Sequence, residues 1–388
     1  MTLVQLLLET GIDANIPVGN GTDRLLWVAT EIKVEIDRIN LFTLLIEAGA
    51  DVNTVRTYPH PETLLMYSVT VSQPDLNRLL LRCGAKTELR NRDGWSVLHT
   101  AAHLGDIGSI HILIEHDTDL FQRMLHEGSP TPLEIAACMG NIQMAQWFLH
   151  YGANVNPSSH HGYGSPLSAA ARSGNIDLVK LLLSLNGDVN GRSGGKYSVQ
   201  RTEEWKNLPN IFGSFRNATA LQQAVWFNHT EIAKLLLRHG ADADAKLRNQ
   251  YHFGTTTPLQ AAARYRNLDL VKVLVSAGAN VNAPPAERDS HGNTRPTGAF
   301  SGSALQGAIE SKSTEIVMLL LDNQAHSDAV SLVRAAQEGM FDIIRMLLRH
   351  GADINATAPL PHRMFYHLPH SALAAALKFN HIDQLAFL

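Results

Sequence analysis

The sequence predicts an all-α solenoid, a row of short helix-turn-helix repeats in which each repeat buries its apolar face against its neighbours. A closing motif of the type Gly-Ala-Asp-Val-Asn recurs along the chain. The two apolar helices before each copy are too short to stand alone, since isolated helices under about 12–15 residues are marginal in water. The copies at Gly49, Gly84, Asp117 and Gly152 follow one another at intervals of 35, 33 and 35 residues, a spacing typical of repeat proteins.

The most regular copy of the repeat lies between Thr257 and Asn282. The Thr257 hydroxyl can cap a helix, and Pro258 suits the first helical position, where no amide donor is needed. This inner helix is followed by an outer helix, which Gly278 ends in a conformation that glycine adopts at little cost. The outer helix has apolar residues on one side at helical spacing, namely Leu270, Val271, Val273 and Leu274.

This module resembles the ankyrin repeat, with a T-P-L-x-x-A-A opening, a V-x-x-L-L outer helix and a G-A-D-x-N closing turn. The resemblance covers nearly the whole chain and implies one array of about ten to eleven repeats over residues 1–388. Phrases such as S-A-L-Q and G-N-I-D-L-V-K-L-L-L are similar to those of the large ankyrin families of filamentous fungi. The closing motif starts at Gly11, Gly49, Gly152, Gly240, Gly278 and Gly351, with weaker copies at Gly84, Asp117, Asn186 and Gln324.

The first half of the chain reads as consecutive repeats. Residues 1–15 supply an outer helix and its turn. Residues 20–53 form a divergent repeat, with helices predicted near Arg24–Ile32 and Ile39–Ala48. The following repeats occupy residues 58–88, the segment opened by Asp93–Ala102, and residues 129–156 and 164–190.

Three insertions interrupt the second half, at residues 191–215, 283–302 and 356–370. The first makes the interval from Asn186 to Gly240 54 residues long, about 20 more than a repeat needs. By contrast, Gln324 and Gly351 are only 27 residues apart. This spacing leaves almost no room for a finger, the loop that connects one repeat to the next. The repeats here are residues 216–244, 255–282, 303–328 and 329–355, and a last one that begins at Ser371.

Composition favours an ordinary folded protein and excludes several function classes. The 388 residues are 45% hydrophobic with a net charge of −4, so neither disorder nor a basic nucleic-acid surface is expected. Only two cysteines occur, which fits a reducing compartment, cytoplasmic or nuclear. No apolar run approaches the roughly 18 residues of a membrane span, so no membrane partner is expected.

The resemblance also implies where a partner would bind. In the ankyrin family, the two residues before the helix-turn glycine and the finger tips face a concave groove. Carried over residue by residue, this places Trp226, Phe227 and Tyr265 in the groove, with Arg172 and Arg264 beside them. Aromatic residues and arginine dominate the hot spots of protein interfaces. Further groove or finger positions are His103, Met139, Trp95, Tyr163, Tyr251 and Phe253.

Two interpretations of the aromatic residues remain open at this point. Either they bind a partner, or the insertion 191–215 folds over them and buries them in the protein's own core. The first predicts a non-catalytic protein-protein interaction or scaffold protein. The alternatives are the ankyrin portion of a larger multidomain protein, and an enzyme whose active site lies in the groove under the 191–215 insertion.

No cofactor or metal is expected. His99 and His103 lie four residues apart on one helix, as paired ligands would, but no acidic residue or cysteine accompanies them. The segment Gly191–Lys196 is one residue too short for a phosphate loop. Histidines in the inter-repeat loops could make binding depend on pH, although solvated side chains are favoured. They are His160, His161, His291, His362, His367 and His370.

Overall fold

The computed structural model describes residues 3–18, 23–32, 35–56, 62–91, 95–120, 122, 131–157, 165–192, 218–246, 257–284, 302–358 and 371–379. These residues form two compact units, Met1–Pro166 (unit 1) and Leu167–Leu388 (unit 2). Each unit is built from helical hairpins, and the prediction of an all-α repeat solenoid is confirmed. That the chain forms one continuous array stays a prediction.

Unit 1 contains nearly all of the short strands that the structure describes. Two antiparallel ladders join successive repeats, one pairing Pro17–Val18 (β1) with Asp23–Arg24 (β2), the other pairing Val55–Arg56 (β3) with Glu62–Thr63 (β4). The sequence analysis did not predict these two-residue strands. The helices are α1 (Leu3–Glu9), α2 (Leu25–Ala29), α3 (Glu35–Glu47), α4 (Leu64–Thr70), α5 (Pro74–Arg82), α6 (Val97–Leu104), α7 (Ile107–His116), α8 (Pro132–Cys138) and α9 (Ile142–His150).

Unit 2 continues the same pattern of inner and outer helices. Its first helix begins one residue before the unit boundary. The helices are α10 (Pro166–Ser173), α11 (Ile176–Ser184), α12 (Ala220–Trp226), α13 (Thr230–Arg238), α14 (Pro258–Arg264), α15 (Leu268–Ser276), α16 (Ala304–Glu310), α17 (Thr314–Asp322), α18 (Ala329–Gln337), α19 (Phe341–Arg349) and α20 (Ala372–Lys378).

The hairpins stack in sequence order within each unit. In unit 2 the inner helices α12, α14, α16, α18 and α20 contact one another consecutively, and the outer helices α11, α13, α15, α17 and α19 form a parallel row. The core lies between these rows. It is built from leucine, isoleucine, valine and alanine side chains that have almost no exposed surface, such as Leu259, Leu270 and Leu305. Stacking therefore supplies the burial that a single hairpin lacks.

Side-chain hydrogen bonds cap the first turn of most inner helices, though not of α2. In α14, Thr257 Oγ1 accepts a bond from the Gln260 amide at 3.3 Å, and Gln260 Oε1 accepts one from the Thr257 amide at 3.0 Å. This capping box satisfies two amides that the helix itself cannot. The same box is present at the start of α6, α8, α12 and α16.

Glutamine replaces the histidine of the family's T-P-L-H opening in several repeats and still joins neighbouring segments. Gln222 Nε2 donates to the Ala245 carbonyl at 2.7 Å, and Gln260 Nε2 donates to the Ala283 carbonyl at 3.1 Å. An amide has both a donor and an acceptor, so one side chain closes the capping box and holds the next finger. The contact between the inner helix and the next finger therefore does not require the histidine of the T-P-L-H motif.

The finger is missing between the repeats at 303–328 and 329–355, as the short spacing predicts. Helix α17 ends at Asp322 and α18 begins only seven residues later, at Ala329. Asp328 caps α18 by accepting a bond from the Ser331 amide at 2.8 Å. The same aspartate accepts a bond from Gln306 Nε2 at 2.8 Å, so it also ties α18 to the preceding inner helix.

Candidate functional site

The candidate site is a line of residues where each inner helix turns into its outer helix. We call it the inner-helix rim and define it as the three residues before the N-cap of each outer helix. The third residue of each rim segment has a positive φ that reverses the chain. In unit 2 the rim comprises residues 172–174, 226–228, 264–266, 310–312 and 337–339, and the described residues 378–379 hold the matching positions after α20.

Four of the predicted site residues come from two neighbouring repeats of unit 2. Trp226 and Phe227 end α12, and Arg264 and Tyr265 end α14, which packs directly against α12. Tyr265 is 41% exposed, whereas the other three are partly buried. Repeat stacking therefore places a pair of aromatic side chains and an arginine–tyrosine pair on consecutive inner helices.

Arg172 is linked to this group by a histidine that the sequence analysis did not select. His229 Nε2 lies 3.2 Å from the Arg172 carbonyl oxygen, and because a carbonyl only accepts, Nε2 carries the proton. The Phe227 ring lies nearly parallel to the His229 ring, with centroids 6.3 Å apart and planes at 14°. His229 therefore joins the Arg172 rim segment to the Phe227 ring.

Arg264 does not face solvent as an isolated cation. Its Nη1 pairs with Glu310 Oε2 of the next repeat, and Glu310 Oε1 pairs with Arg334 Nη1 of the repeat after that. The three side chains are 25%, 21% and 38% exposed, respectively. Burial lowers the pKa of both guanidinium groups, and Arg264 lowers that of Arg334 further. Both stay charged, since arginine is not deprotonated in proteins.

Tyr265 and Lys312 complete the polar part of the rim. Burial raises the pKa of the Tyr265 phenol, and the Arg264 guanidinium opposes that rise. The phenol is therefore neutral at physiological pH and can donate a hydrogen bond. Lys312 pairs with Glu338 at 2.9 Å across successive repeats, and both side chains are about half exposed. The Ser311 hydroxyl donates to the Ala263 carbonyl at 3.0 Å and joins this rim segment to the preceding inner helix α14.

The predicted residues of unit 1 lie on a rim of different character. The His103 ring meets the finger residue Trp95 edge-on, with centroids 5.1 Å apart. Burial lowers the pKa of His103, so its imidazole is neutral at physiological pH. Met139 is 45% exposed and Leu104 46% exposed. This rim offers apolar surface and little charge.

Several predictions fall outside the described residues. They concern Tyr163, Tyr251 and Phe253, all but the edges of the insertions 191–215, 283–302 and 356–370, and the loop histidines. Whether the first insertion covers the unit 2 rim therefore stays untested. Among the residues that the structure describes, no three histidine, cysteine or acidic side chains are grouped as a metal site would need. No helix within those ranges is long and apolar enough to cross a membrane.

The sequence analysis missed the acidic partner of the predicted basic residues. Glu310 holds the position in its repeat that Arg264 holds in the preceding one, 46 residues earlier, so alignment of the repeats places the two side chains on neighbouring helices. Arg334 lies one helical turn before the rim of α18 and gave no such signal. The resulting surface can bind side chains and peptide groups.

Two known proteins have sequences similar to parts of this chain. Phosphocholine transferase AnkX of Legionella pneumophila is 30% identical over 131 residues, which are 33% of this chain and 14% of AnkX. Notch-regulated ankyrin repeat-containing protein B of Danio rerio is 49% identical over 47 residues, 12% of this chain and 42% of that protein. The chain therefore spans less than half the length of either relative.

The crystal structure of the human ASB11 ankyrin repeat domain aligns with 67% of this chain and 98% of its own length, with a TM-score of 0.45 and 22% sequence identity. The family model described as "Ankyrin repeats (3 copies)" matches residues 32–124, 65–159, 119–193 and 167–285, and the single "Ankyrin repeat" model matches residues 329–358. These matches cover more than half of the sequence, and the chain belongs to the ankyrin repeat family.

Proposed function

We propose that the protein is a non-catalytic protein-interaction or scaffold protein that holds a protein partner on the inner-helix rim of unit 2. Ankyrin repeats in general mediate protein-protein interaction. The observation that supports this rim is the alignment of Trp226 and Phe227 with Arg264 and Tyr265 on adjacent helices, all with surface left exposed to solvent. We expect the protein to bind this partner in the cytoplasm or the nucleus.

The physical argument rests on rigid aromatic surface. Tryptophan, tyrosine and arginine supply a large share of interface energy, and the two aromatic side chains bury much area for few rotatable bonds. Here the rim side chains extend from packed helices and contact each other, through the Phe227–His229 rings and the Arg264–Glu310 pair. A partner would therefore meet a surface that loses little conformational entropy on binding.

Catalysis has weaker support. AnkX is named a phosphocholine transferase, but its similarity to this chain covers only 14% of its length and runs over the repeats. Its transferase activity therefore does not carry over. That this chain is the ankyrin portion of a larger protein stays a prediction, and sequencing the full transcript checks it.

Replacing the partly buried Trp226 and the exposed Tyr265 together tests the proposal. We expect the double variant Trp226→Ala with Tyr265→Ala to lose the proteins that the wild-type chain captures from a lysate of its native cells. We expect its thermal unfolding midpoint to stay almost unchanged, because both rings lie at the rim and outside the buried core. Affinity capture followed by mass spectrometry, together with a thermal melt, measures the two effects.

Tyr151→Ala is the matched control, because Tyr151 is 44% exposed and Tyr265 is 41% exposed, but Tyr151 follows an outer helix of unit 1. This variant should capture the same proteins as the wild type. Unchanged capture by the rim double variant would contradict the proposed function. A large fall of its melting midpoint would instead show that the aromatic side chains belong to the protein's own buried core.

A further inference from the structure

The rims of the two units differ in charge. In a chain whose net charge is −4, the unit 2 rim carries an excess of basic residues. Its acidic residues are Glu310 and Glu338. Its basic residues are Arg172, Arg264, Arg266, Lys312 and Lys378.

Unit 1 presents the opposite case at equivalent positions. Its rim segments 70–72, 103–105 and 138–140, which the structure describes in full, contain no residue that is charged at neutral pH, since burial keeps His103 neutral, and the turn after α2 contributes the exposed acidic residue Glu31. Instead, Val71, Leu104 and Met139 are 38%, 46% and 45% exposed. The basic character is therefore a property of the unit 2 rim and not of the repeat design, which is the same in both units.

The carboxylates of the unit 2 rim already have cationic partners. Glu310 is shared by Arg264 and Arg334, and Glu338 pairs with Lys312. These contacts hold the basic side chains in place across successive repeats. They do not cancel the charge, because two guanidinium groups share one carboxylate. Arg266 is exposed and the Lys312 side chain is 62% exposed, so the positive charge reaches solvent.

We propose that the unit 2 rim recognises an acidic peptide segment in which aspartate or glutamate residues alternate with apolar side chains. This rests on the function proposed above and names the chemistry of its partner. Carboxylates of the segment would pair with the basic rim residues, since the planar guanidinium matches a carboxylate in two parallel bonds. Its apolar side chains would contact the Phe227 and Tyr265 rings, which lie between the basic positions.

The charge distribution favours a peptide over nucleic acid. A nucleic acid carries a charge at every phosphate and is attracted by broad basic surfaces, whereas this chain is acidic overall. A short peptide places its few charges against a narrow basic line and leaves the rest of the protein untouched. Electrostatic complementarity of this local kind determines specificity and association rate.

Selection from a random peptide library displayed on phage, against the full 388-residue chain, tests the inference without assuming a sequence. We expect the selected peptides to be enriched in aspartate and glutamate. We expect the double variant Arg266→Glu with Lys312→Glu to bind those peptides about tenfold more weakly in fluorescence anisotropy, and to select peptides without acidic enrichment. Both side chains are exposed in turns, so folding should be preserved.

The double variant Lys272→Glu with Arg349→Glu is the control. It changes the net charge by the same amount, on exposed positions of the outer helices α15 and α19, and should bind the selected peptides as the wild type does. Selected peptides without acidic enrichment, equal weakening by both double variants, or displacement of the peptides by single-stranded RNA would each overturn the inference. If neutral peptides are selected and the variant Trp226→Ala with Tyr265→Ala loses them, the proposed function holds and only the acidic preference fails.

Discussion

At the residue scale, the last asparagine of the closing motif joins each repeat to the next. Asn15 Nδ2 donates to the Gly49 carbonyl at 2.9 Å, and its Oδ1 accepts a bond from the Asp51 amide at 2.8 Å. Asn282 repeats the pattern, donating to the Gln324 carbonyl at 2.9 Å and accepting from the His326 amide at 2.8 Å. Asparagine suits this position because its amide group carries a donor and an acceptor.

Asp244 breaks the pattern and provides a test. Its Oδ1 accepts a bond from the Asn280 amide at 2.9 Å, but a carboxylate cannot donate to the Gly278 carbonyl. We expect Asp244→Asn to supply the missing donor and to raise the free energy of unfolding by about 0.5–1.5 kcal/mol. The midpoint of urea unfolding, followed by circular dichroism, measures the change.

Asp242→Asn is the control, because it removes the same negative charge two residues before Asp244. Asp242 Oδ1 accepts a bond from the Asp244 amide at 2.9 Å, and Asn280 forms the same turn with its own side-chain oxygen. Asparagine can therefore replace Asp242 without losing the bond, and the midpoint should hardly move. Equal stabilisation by both variants would show that the charge, and not the added donor, is responsible.

At the element scale, local sequence determines where each helix begins and ends, but contacts from the next repeat decide how much freedom the turn has. Gly174 and Gly278 both end helices with a positive φ, of +81° and +84°. A Cβ atom on Gly278 would meet no atom within 4 Å, whereas one on Gly174 would lie 2.7 Å from the His229 ring. The same residue type is thus constrained by the backbone alone in one place and also by packing in the other.

This difference predicts unequal costs for one substitution. We expect Gly278→Ala to destabilise the protein by about 1–2 kcal/mol, the cost of a left-handed backbone for a residue with a Cβ. Gly174→Ala should cost more, because the His229 ring must also leave the Arg172 carbonyl. Urea unfolding of both variants measures the difference.

A second substitution isolates the contact. In the background His229→Ala, the cost of Gly174→Ala should fall to that of Gly278→Ala, since the ring that meets the new Cβ is gone. An unchanged gap between the two positions in that background would contradict the packing explanation.

At the scale of the whole molecule, the effect of a destabilising substitution should reach only the neighbouring repeats. In a solenoid each repeat contacts those beside it, so the stability is a sum of local and nearest-neighbour contributions. Leu305 on α16 is 1% exposed and lies between the inner helices α14 and α18. We expect Leu305→Ala to cost about 2–5 kcal/mol and to raise amide hydrogen exchange most in those three helices.

Hydrogen exchange followed by mass spectrometry resolves this prediction along the chain. Exchange in α4 and α6 of unit 1 should match the wild type. Leu98→Ala on α6, at a position with no exposed surface, is the reciprocal control and should raise exchange in unit 1 only. A uniform rise over both units in either variant would show that the chain unfolds as a single cooperative body.

The sequence by itself determined the repeat fold, because every step of that inference is local. Caps such as Thr257, glycines such as Gly278 and the apolar spacing of each outer helix act within a few residues of their own position. Since the repeat recurs in register, the pattern of one repeat predicted the others. The same spacing also predicted the missing finger between Gln324 and Gly351.

Only the tertiary structure decided the character of the candidate site. The sequence placed Arg264 beside aromatic residues but gave it no partner, and the structure pairs it with Glu310, which in turn pairs with Arg334 from a third repeat. Ion pairs and hydrogen bonds between these repeats depend on side-chain geometry between residues 24 to 57 positions apart, from Glu310 and Arg334 to Arg172 and His229. The spacing of the repeats determines which helices are neighbours, and the packing of side chains determines which charges meet.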